Sequence, residues 1–336
     1  MKAVVLRELG GPANLRLEEV AEPQPKAGEV LIKLKAAALN HRDVFIRTGQ
    51  YAGIKLPIIL GSDGAGEVIE VGADVDRSLV GKAVVICPSL DWGEDERAQG
   101  PNFRILGLPD DGTYAQLVKV PAANVFPKPP SLSFEDAAAI PLAGVTAYRA
   151  LVTRAQVQAG ETVLVPGIGG GVATFVLQFA KSLGARVLVT SGSDSKLARA
   201  RELGAEGGVN YHHEDWVKQI AALAGNKGVD VVIDSVGGET FASALEVIKP
   251  GGRIVTYGAT TGAAKQIEVR RIFWKQLNIL GSTMGTPREF AAMLELLGDN
   301  ALRPVVDQIF PLAEAQAAHR RLEEAGHFGK IVLRIE

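Results

Sequence analysis

Residues 163–173, VLVPGIGGGVA, constrain the fold of this 336-residue chain more than any other stretch. Thr162, Val163, Leu164 and Val165 run straight into a glycine cluster, and an amphipathic stretch over 174–183 follows without a break. That order predicts strand, tight turn and helix, the opening βα unit of a dinucleotide-binding sheet. Gly167, Gly169, Gly170 and Gly171, with Val172 behind them, let the backbone approach a pyrophosphate with no Cβ in the way. The helix that follows aims its amides and the positive end of its dipole at the anion. Glycine in a βα connection also serves packing alone, so the surrounding sequence has to decide.

At 336 residues the chain exceeds what one core usually supports, and its 47% apolar content suffices for two. A formal net charge of −2 leaves no basic footprint for nucleic acid. No apolar run approaches the ~20 residues that span a bilayer. The opening MKAVVLREL reads as a strand rather than a secretory leader. Cys87 is the sole cysteine, which excludes an internal disulfide and any two-thiolate site and fits a reducing cytoplasm.

Short alternating strands and glycine turns fill the first ~120 residues, at 2–6, 29–37, 64–71, 82–86 and 114–120. They predict a mostly antiparallel β domain with a Pro-rich linker after it (121–130) and a helical region from Ser133 to Leu151. From Thr162 the rhythm becomes strand–helix: strands at 163–165, 186–190, 208–211, 229–234, 253–257 and 277–281, with helices at 195–203 and 216–223. Six strands in this order predict a doubly wound parallel α/β sheet. The helix at 287–297 and the strands at 304–310 and 330–334 are expected to return to the first domain. The expected division is 1–122 with 285–336, and 123–284 for the nucleotide domain. Helix 290–297 and Trp274 are expected in core packing, and Trp92 in a solvated acidic loop.

The end of the second strand distinguishes the two nicotinamide dinucleotides. A site for NAD carries Asp or Glu there for the ribose 2′-hydroxyl. This chain reads TSGSDSK over 190–196, with Ser191 at the carboxylate position, Ser193 beside it and Lys196 on the next helix. Hydroxyls and a cation suit a 2′-phosphate, so NADPH is expected over NADH. Asp194 argues the other way, and Ser193 or Asp194 also suits the N-cap of the next helix.

The chain resembles the medium-chain dehydrogenase/reductase superfamily over nearly its whole length. The matching stretches are ALNHRD (38–43), GSDGAGEVIEVG (61–72), DGTYAQ (111–116), PLAGVTAYRAL (141–151), the glycine turn and GKIVL (329–333). The resemblance implies a GroES-like β domain enclosing a Rossmann domain, an active site in the cleft between them, and a homodimer, for which the apolar edge strand 277–281 is suited. The family turn AxxGxxG fits at Gly167, Gly170 and Ala173, with alanine replacing the third glycine.

Zinc alcohol dehydrogenases of this family hold a catalytic metal with a cysteine, a histidine in GHE, and a later cysteine or aspartate. Here those places carry Asn40, Ser62 and Leu142. Amide, hydroxyl and alkyl groups do not replace thiolate and imidazole around Zn²⁺. An atypical set from His41, Asp43, Asp63 and Cys87 is the alternative. The pattern resembles the zinc-free branch of quinone, enone and enoyl reductases. That resemblance implies Asn40, Asp43 and Tyr51 beside the nicotinamide; Asn40 and Tyr51 are the candidate donors to the substrate oxygen, and Asp43 is expected to orient Asn40 or an adjacent water. Asn40 and Asp43 also suit a turn or cap, and Tyr51 an exposed loop tip. The resemblance further implies cofactor contacts at Thr146, Tyr211, Gly258, Ala259, Ser282, Thr283 and Lys330. The expected activity is NADPH-dependent reduction of a small quinone or α,β-unsaturated carbonyl without a metal. A zinc alcohol dehydrogenase with atypical ligands and a non-catalytic NADPH-binding protein are the rivals.

Overall fold

The computed structural model describes all residues, Met1–Glu336, in two compact units: Met1–Val145 with Thr286–Glu336, and Thr146–Gly285.

Strand Glu29–Ala38 organises the first unit. It pairs antiparallel with Asp63–Val71, with Leu117–Pro121 near its start and with Lys330–Arg334 near its end. Seven of its ten residues are apolar and buried, while Glu29, Lys33 and Lys35 are charged and only Lys33 is exposed. Ala83–Ile86, Val125–Pro127 and Val306–Pro311 complete a seven-stranded sheet, and Leu15–Glu19, Lys2–Leu6 and Ile58–Ile59 form a second of three strands. Leu6, Ile32, Leu34, Ile46, Leu60 and Tyr114 lie in the core of this unit. Register does the work that matters for function. Ala38 stands opposite Asp63 on one side and Val332 on the other, so the strand's end delivers Asn40 to Asp63 and Lys330.

Residues 123–145 fall in the first unit, not the second as expected from the linker. Helix Phe134–Ala138 packs Ala137, Ala138 and Ala139 on Ala36, Ala38, Ala65 and Val332, small side chains allowing close approach to the sheet. The helical region breaks at Pro141, which opens a new helix, Pro141–Tyr148.

In the second unit the strands are β1 (Thr162–Val165), β2 (Arg186–Ser191), β3 (Gly207–Asn210), β4 (Val229–Asp234), β5 (Ile248–Thr256) and β6 (Asn278–Gly281). All pair in parallel, in the order β3-β2-β1-β4-β5-β6. The order reverses direction at β1, and in such sheets ligands lie outside the carboxyl ends of the strands at this point. Leu164, Leu188, Val232 and Ile254 from the central strands share one core cluster.

Two tryptophans depart from expectation. Trp274, on helix Val269–Trp274, is 83% exposed, because that short helix presents Val269, Phe273 and Trp274 to solvent instead of to the sheet. Trp92 is buried instead of solvated, its ring edge-on to Phe103 at 5.2 Å and its Nε1 donating to the Asp95 carbonyl. Phe290, Met293 and Leu297 of helix Pro287–Asp299 are buried, as expected. No helix is long and apolar enough to cross a membrane.

Candidate active site

Three polar side chains meet where the central strand of the first unit ends. Lys330 Nζ donates to Asn40 Oδ1 at 2.7 Å, to Asp63 Oδ2 at 2.9 Å and to the Leu39 carbonyl at 2.6 Å. Asn40 Nδ2 donates to the same Asp63 oxygen at 2.9 Å, and the other Asp63 oxygen accepts from the Leu142 amide at 2.8 Å. The orientation of the Asn40 amide is therefore fixed from both ends: its oxygen faces a cation, and one of its two N–H groups faces a carboxylate. The second N–H is not committed to any of these partners. Lys330, expected beside a phosphate, is corrected: its ammonium is buried and all three hydrogens have protein acceptors.

Asp43 lies behind this cluster, fully buried in the first turn of helix His41–Arg47. Its Oδ2 accepts from the Asn40 backbone N–H at 2.8 Å and from the Tyr114 hydroxyl at 2.9 Å. Burial pushes the Asp43 carboxyl up from its ordinary value, against the pull of Arg42. Burial and the Asp43 charge raise the Tyr114 phenol in turn. Asp43 thus fixes the backbone of Asn40, in keeping with an orienting role. Tyr51 is half-buried, its ring 5.2 Å from the Arg42 guanidinium carbon. Arg42 Nη1 donates to Ser62 Oγ at 2.6 Å and to the Leu106 carbonyl at 2.9 Å. Tyr114 and Arg42 lie in the family-like stretches DGTYAQ and ALNHRD, but nothing in the sequence assigns them to the site. Each is a polar residue in a mostly buried segment, recognisable only once its neighbours are known.

The nucleotide features of the second unit converge at the ends of β1 and β2. Gly167 and Gly169 have φ of 66° and 143°, and Gly170 caps helix Gly171–Ser182 without a side-chain bond of its own. The Ile168 amide donates to the Thr190 carbonyl at 2.8 Å, pinning the turn to β2. A Cβ on Gly169 would lie 2.9 Å from Lys196 Cδ and 3.1 Å from its Nζ, so the glycine leaves room for that side chain above the turn. A Cβ on Gly192 would meet Tyr211 Oη and His212 Nε2, each at 2.7 Å. Ser191, Ser193, Lys196, Tyr211 and the unanticipated His212 therefore ring the end of β2. Asp194 accepts from Asn210 Nδ2 at 2.9 Å, which accounts for one of its oxygens within the protein. Ser193 occupies the N-cap position of helix Asp194–Glu202 without a side-chain capping bond, its hydroxyl pairing with that of Ser195. Gly258, Ala259, Ser282 and Thr283 follow β5 and β6 at the same edge of the sheet. The hydroxyls of Ser282 and Thr146 are buried without a protein partner, and Thr146 does not bond back to a helix carbonyl. Orphaned hydroxyls, an uncapped helix start and a glycine cradle fit a bound dinucleotide.

The sequence profile described as alcohol dehydrogenase GroES-like domain matches residues 26–130, and that of zinc-binding dehydrogenase matches 171–299. A zinc-type alcohol dehydrogenase-like protein of Leptosphaeria maculans is 38% identical over 341 residues, covering 96% of this chain and 94% of the relative. The chain belongs to the medium-chain dehydrogenase/reductase superfamily. This medium-chain dehydrogenase/reductase is also 32% identical to a quinone oxidoreductase of Pseudomonas aeruginosa, over 99% of both chains. It matches a crystal structure of an NAD-dependent alcohol dehydrogenase with a TM-score of 0.96, at 43% identity and full coverage of both. It is an oxidoreductase of this superfamily.

Zinc-binding members raise the question of a metal, and the donor set here does not fit one. The Asn40 oxygen and the Asp63 carboxylate already face the Lys330 ammonium, a fixed positive charge where a second cation would be repelled. Ser62 Oγ donates to the Leu106 carbonyl at 2.8 Å. Cys87 is fully buried, burial pushes its thiol up to about 12, and the Asn124 side-chain amide donates to its backbone carbonyl at 3.1 Å. Nowhere do three His, Cys, Asp or Glu side chains converge to hold a metal.

Proposed function

We propose that this oxidoreductase uses NADPH to reduce a quinone or an α,β-unsaturated carbonyl without zinc. The observation that carries the reading is the Lys330–Asn40–Asp63 cluster, a buried ammonium and an oriented amide centred on Asn40, the position at which the resemblance sets a zinc alcohol dehydrogenase's cysteine ligand. Oxidising an unactivated alcohol becomes difficult without a Lewis acid to make its alkoxide accessible. Reduction of a conjugated acceptor does not, because its developing negative charge spreads to oxygen and hydrogen-bond donors stabilise it.

When bound, the reduced nicotinamide supplies the hydride. The chain's own residues do the rest. Asn40 directs its second Nδ2–H to the acceptor oxygen, held in place by Lys330 and Asp63. Asp43 fixes the Asn40 backbone. Tyr51 donates its hydroxyl hydrogen to the oxygen or passes it from water. Ser191, Ser193, Lys196 and Tyr211 hold the 2′-phosphate, and Thr146, Gly258, Ala259, Ser282 and Thr283 border the nicotinamide end. The quinone oxidoreductase relative supports the substrate class. The protein acts in the cytoplasm on a small molecule, as a homodimer.

The test is NADPH consumption against a panel of quinones and enones with a chelator present. Turnover with the chelator is the expected result. Turnover of alcohols that depends on bound zinc would establish the rival enzyme, and tight NADPH binding without turnover the non-catalytic binder. Asn40→Ala is expected to lower kcat more than it weakens NADPH binding; equal losses would make Asn40 structural.

A further inference from the structure

Resting on that reading, we infer that Arg42 is the cationic electrophile of this site, receiving the acceptor oxygen as its negative charge develops. Arg42 is only 8% exposed, yet both of its hydrogen bonds leave from a single nitrogen, Nη1, to Ser62 Oγ and the Leu106 carbonyl. Its Nε is buried with no protein partner. The unengaged edge, Nε with Nη2, is the one whose two N–H groups run parallel and grip an oxygen or carboxylate side-on. A guanidinium desolvated this far normally has its donors satisfied, because an unmade hydrogen bond to a charged group is costly.

Neighbouring carboxylates do not account for that edge. Asp43 Oδ2 is taken by Asn40 and Tyr114, and its Oδ1 is without a partner, so Arg42 contributes charge to Asp43 but no hydrogen bond. Both Asp63 oxygens are engaged by Lys330, Asn40 and Leu142. Between the two cations of the site the assignment follows from counting donors: Lys330 has spent all three hydrogens on the protein, whereas Arg42 has kept an edge. Nη1 is tied to Ser62, and Tyr51 lies against the guanidinium, so the cation is held rather than mobile. The electron balance is that of a conjugate reduction. A hydride adds to the acceptor carbon, NADPH being oxidised; the π pair moves onto the carbonyl oxygen, which Arg42 holds as an oxyanion until water or Tyr51 protonates it. The substrates favoured are those that gather the charge on one oxygen.

The experiment compares wild type, R42M and R42K by two readouts. The first uses 4-nitrophenol, an oxyanion mimic, titrated in the absence of cofactor. Wild type is expected to bind the phenolate in preference to the phenol, lowering the apparent pKa of the bound probe. R42K should keep part of that shift and R42M none. The second readout is acceptor reduction. R42M is expected to lose about 10²-fold or more in kcat, and R42K, which preserves charge and fold but not the side-on edge, about tenfold. R42M within threefold of wild-type kcat, wild-type kcat in R42K, an equal phenolate preference in R42M, or no phenolate preference in wild type each overturns the assignment. If wild type reduces no acceptor yet prefers the phenolate and R42M does not, the reductase reading fails while the role of Arg42 as an oxyanion-binding cation stands.

Discussion

The ammonium of Lys330 and the Oδ2 of Asp63 lie 2.9 Å apart with 4% and 0% of their side chains exposed. A buried pair like this contributes little net stability over an apolar substitute, but breaking it strands a charge. Lys330→Met is therefore expected to destabilise the protein by about 3–5 kcal/mol, read as a lower urea midpoint. The double variant D63N/K330M removes both charges and should recover a substantial part of that loss. A double variant as unstable as K330M alone would show that the packing of the lysine stem, not the stranded carboxylate, carries the cost.

Much of this was legible in the sequence, and for identifiable reasons. Strands β1, β2 and β4 announced themselves as short β-branched runs bounded by turn residues, whereas β3 (GGVN) and β6 (NILG), with one β-branched residue each, were legible from the strand–helix alternation around them. The glycine turn was legible because only glycine serves at Gly167 and Gly169, with positive φ and little room beside them. The Asn40–Asp63–Lys330 cluster was not legible, since its members come from 40, 63 and 330 and meet only through the register of Ala38 with Asp63 and Val332. Sequence periodicity says which face a residue takes, not which residue stands opposite. Trp274 misled because a large aromatic residue is usually buried, and nothing local says that a helix lies at a sheet edge.

The proposed preference for NADPH over NADH rests on a small number of atoms at the end of β2. Ser191 is nearly buried there, with its Oγ 3.3 Å from the Ser193 amide. Placing a carboxylate at this position repels a 2′-phosphate and accepts from a 2′-hydroxyl. Ser191→Asp is expected to weaken NADPH by about tenfold or more and to improve NADH, measured by cofactor fluorescence titration. An unchanged ratio of the two affinities would remove Ser191 from 2′-phosphate recognition.

Acid sensitivity should trace to His319. It is fully buried on helix Ala315–Glu323, edge-on to Tyr114 at 5.9 Å, and neither ring nitrogen has a hydrogen-bond partner. Burial, assisted by Arg47, holds its pKa down to about 3 from an ordinary 6.5. The folded state thus keeps the imidazole neutral where the unfolded chain protonates it, so the unfolded state binds more protons between those values. Stability is then lost progressively as pH falls from 6.5 toward 3. At pH ~4.5 the loss from this group is about 2–3 kcal/mol. His319→Leu should flatten the fall of the urea midpoint between neutral pH and that value. An equally steep fall in the variant would assign it to the carboxylates.

The exposed apolar face of the second unit bears on assembly. Strand β6 ends the sheet, so one of its edges carries unpaired backbone groups, and Ile279 on it is 38% exposed. Just before it, Val269, Phe273 and Trp274 are 61%, 63% and 83% exposed. An open apolar edge of this kind is a pairing hazard unless it is covered. A second copy related by a two-fold axis covers it most economically, setting β6 antiparallel to β6 and Trp274 near its own mate. Sedimentation velocity should find a dimer, and F273E/W274E should shift it to monomer with NADPH binding intact. A monomeric wild type, or a variant that remains dimeric, would rule out this edge as the interface.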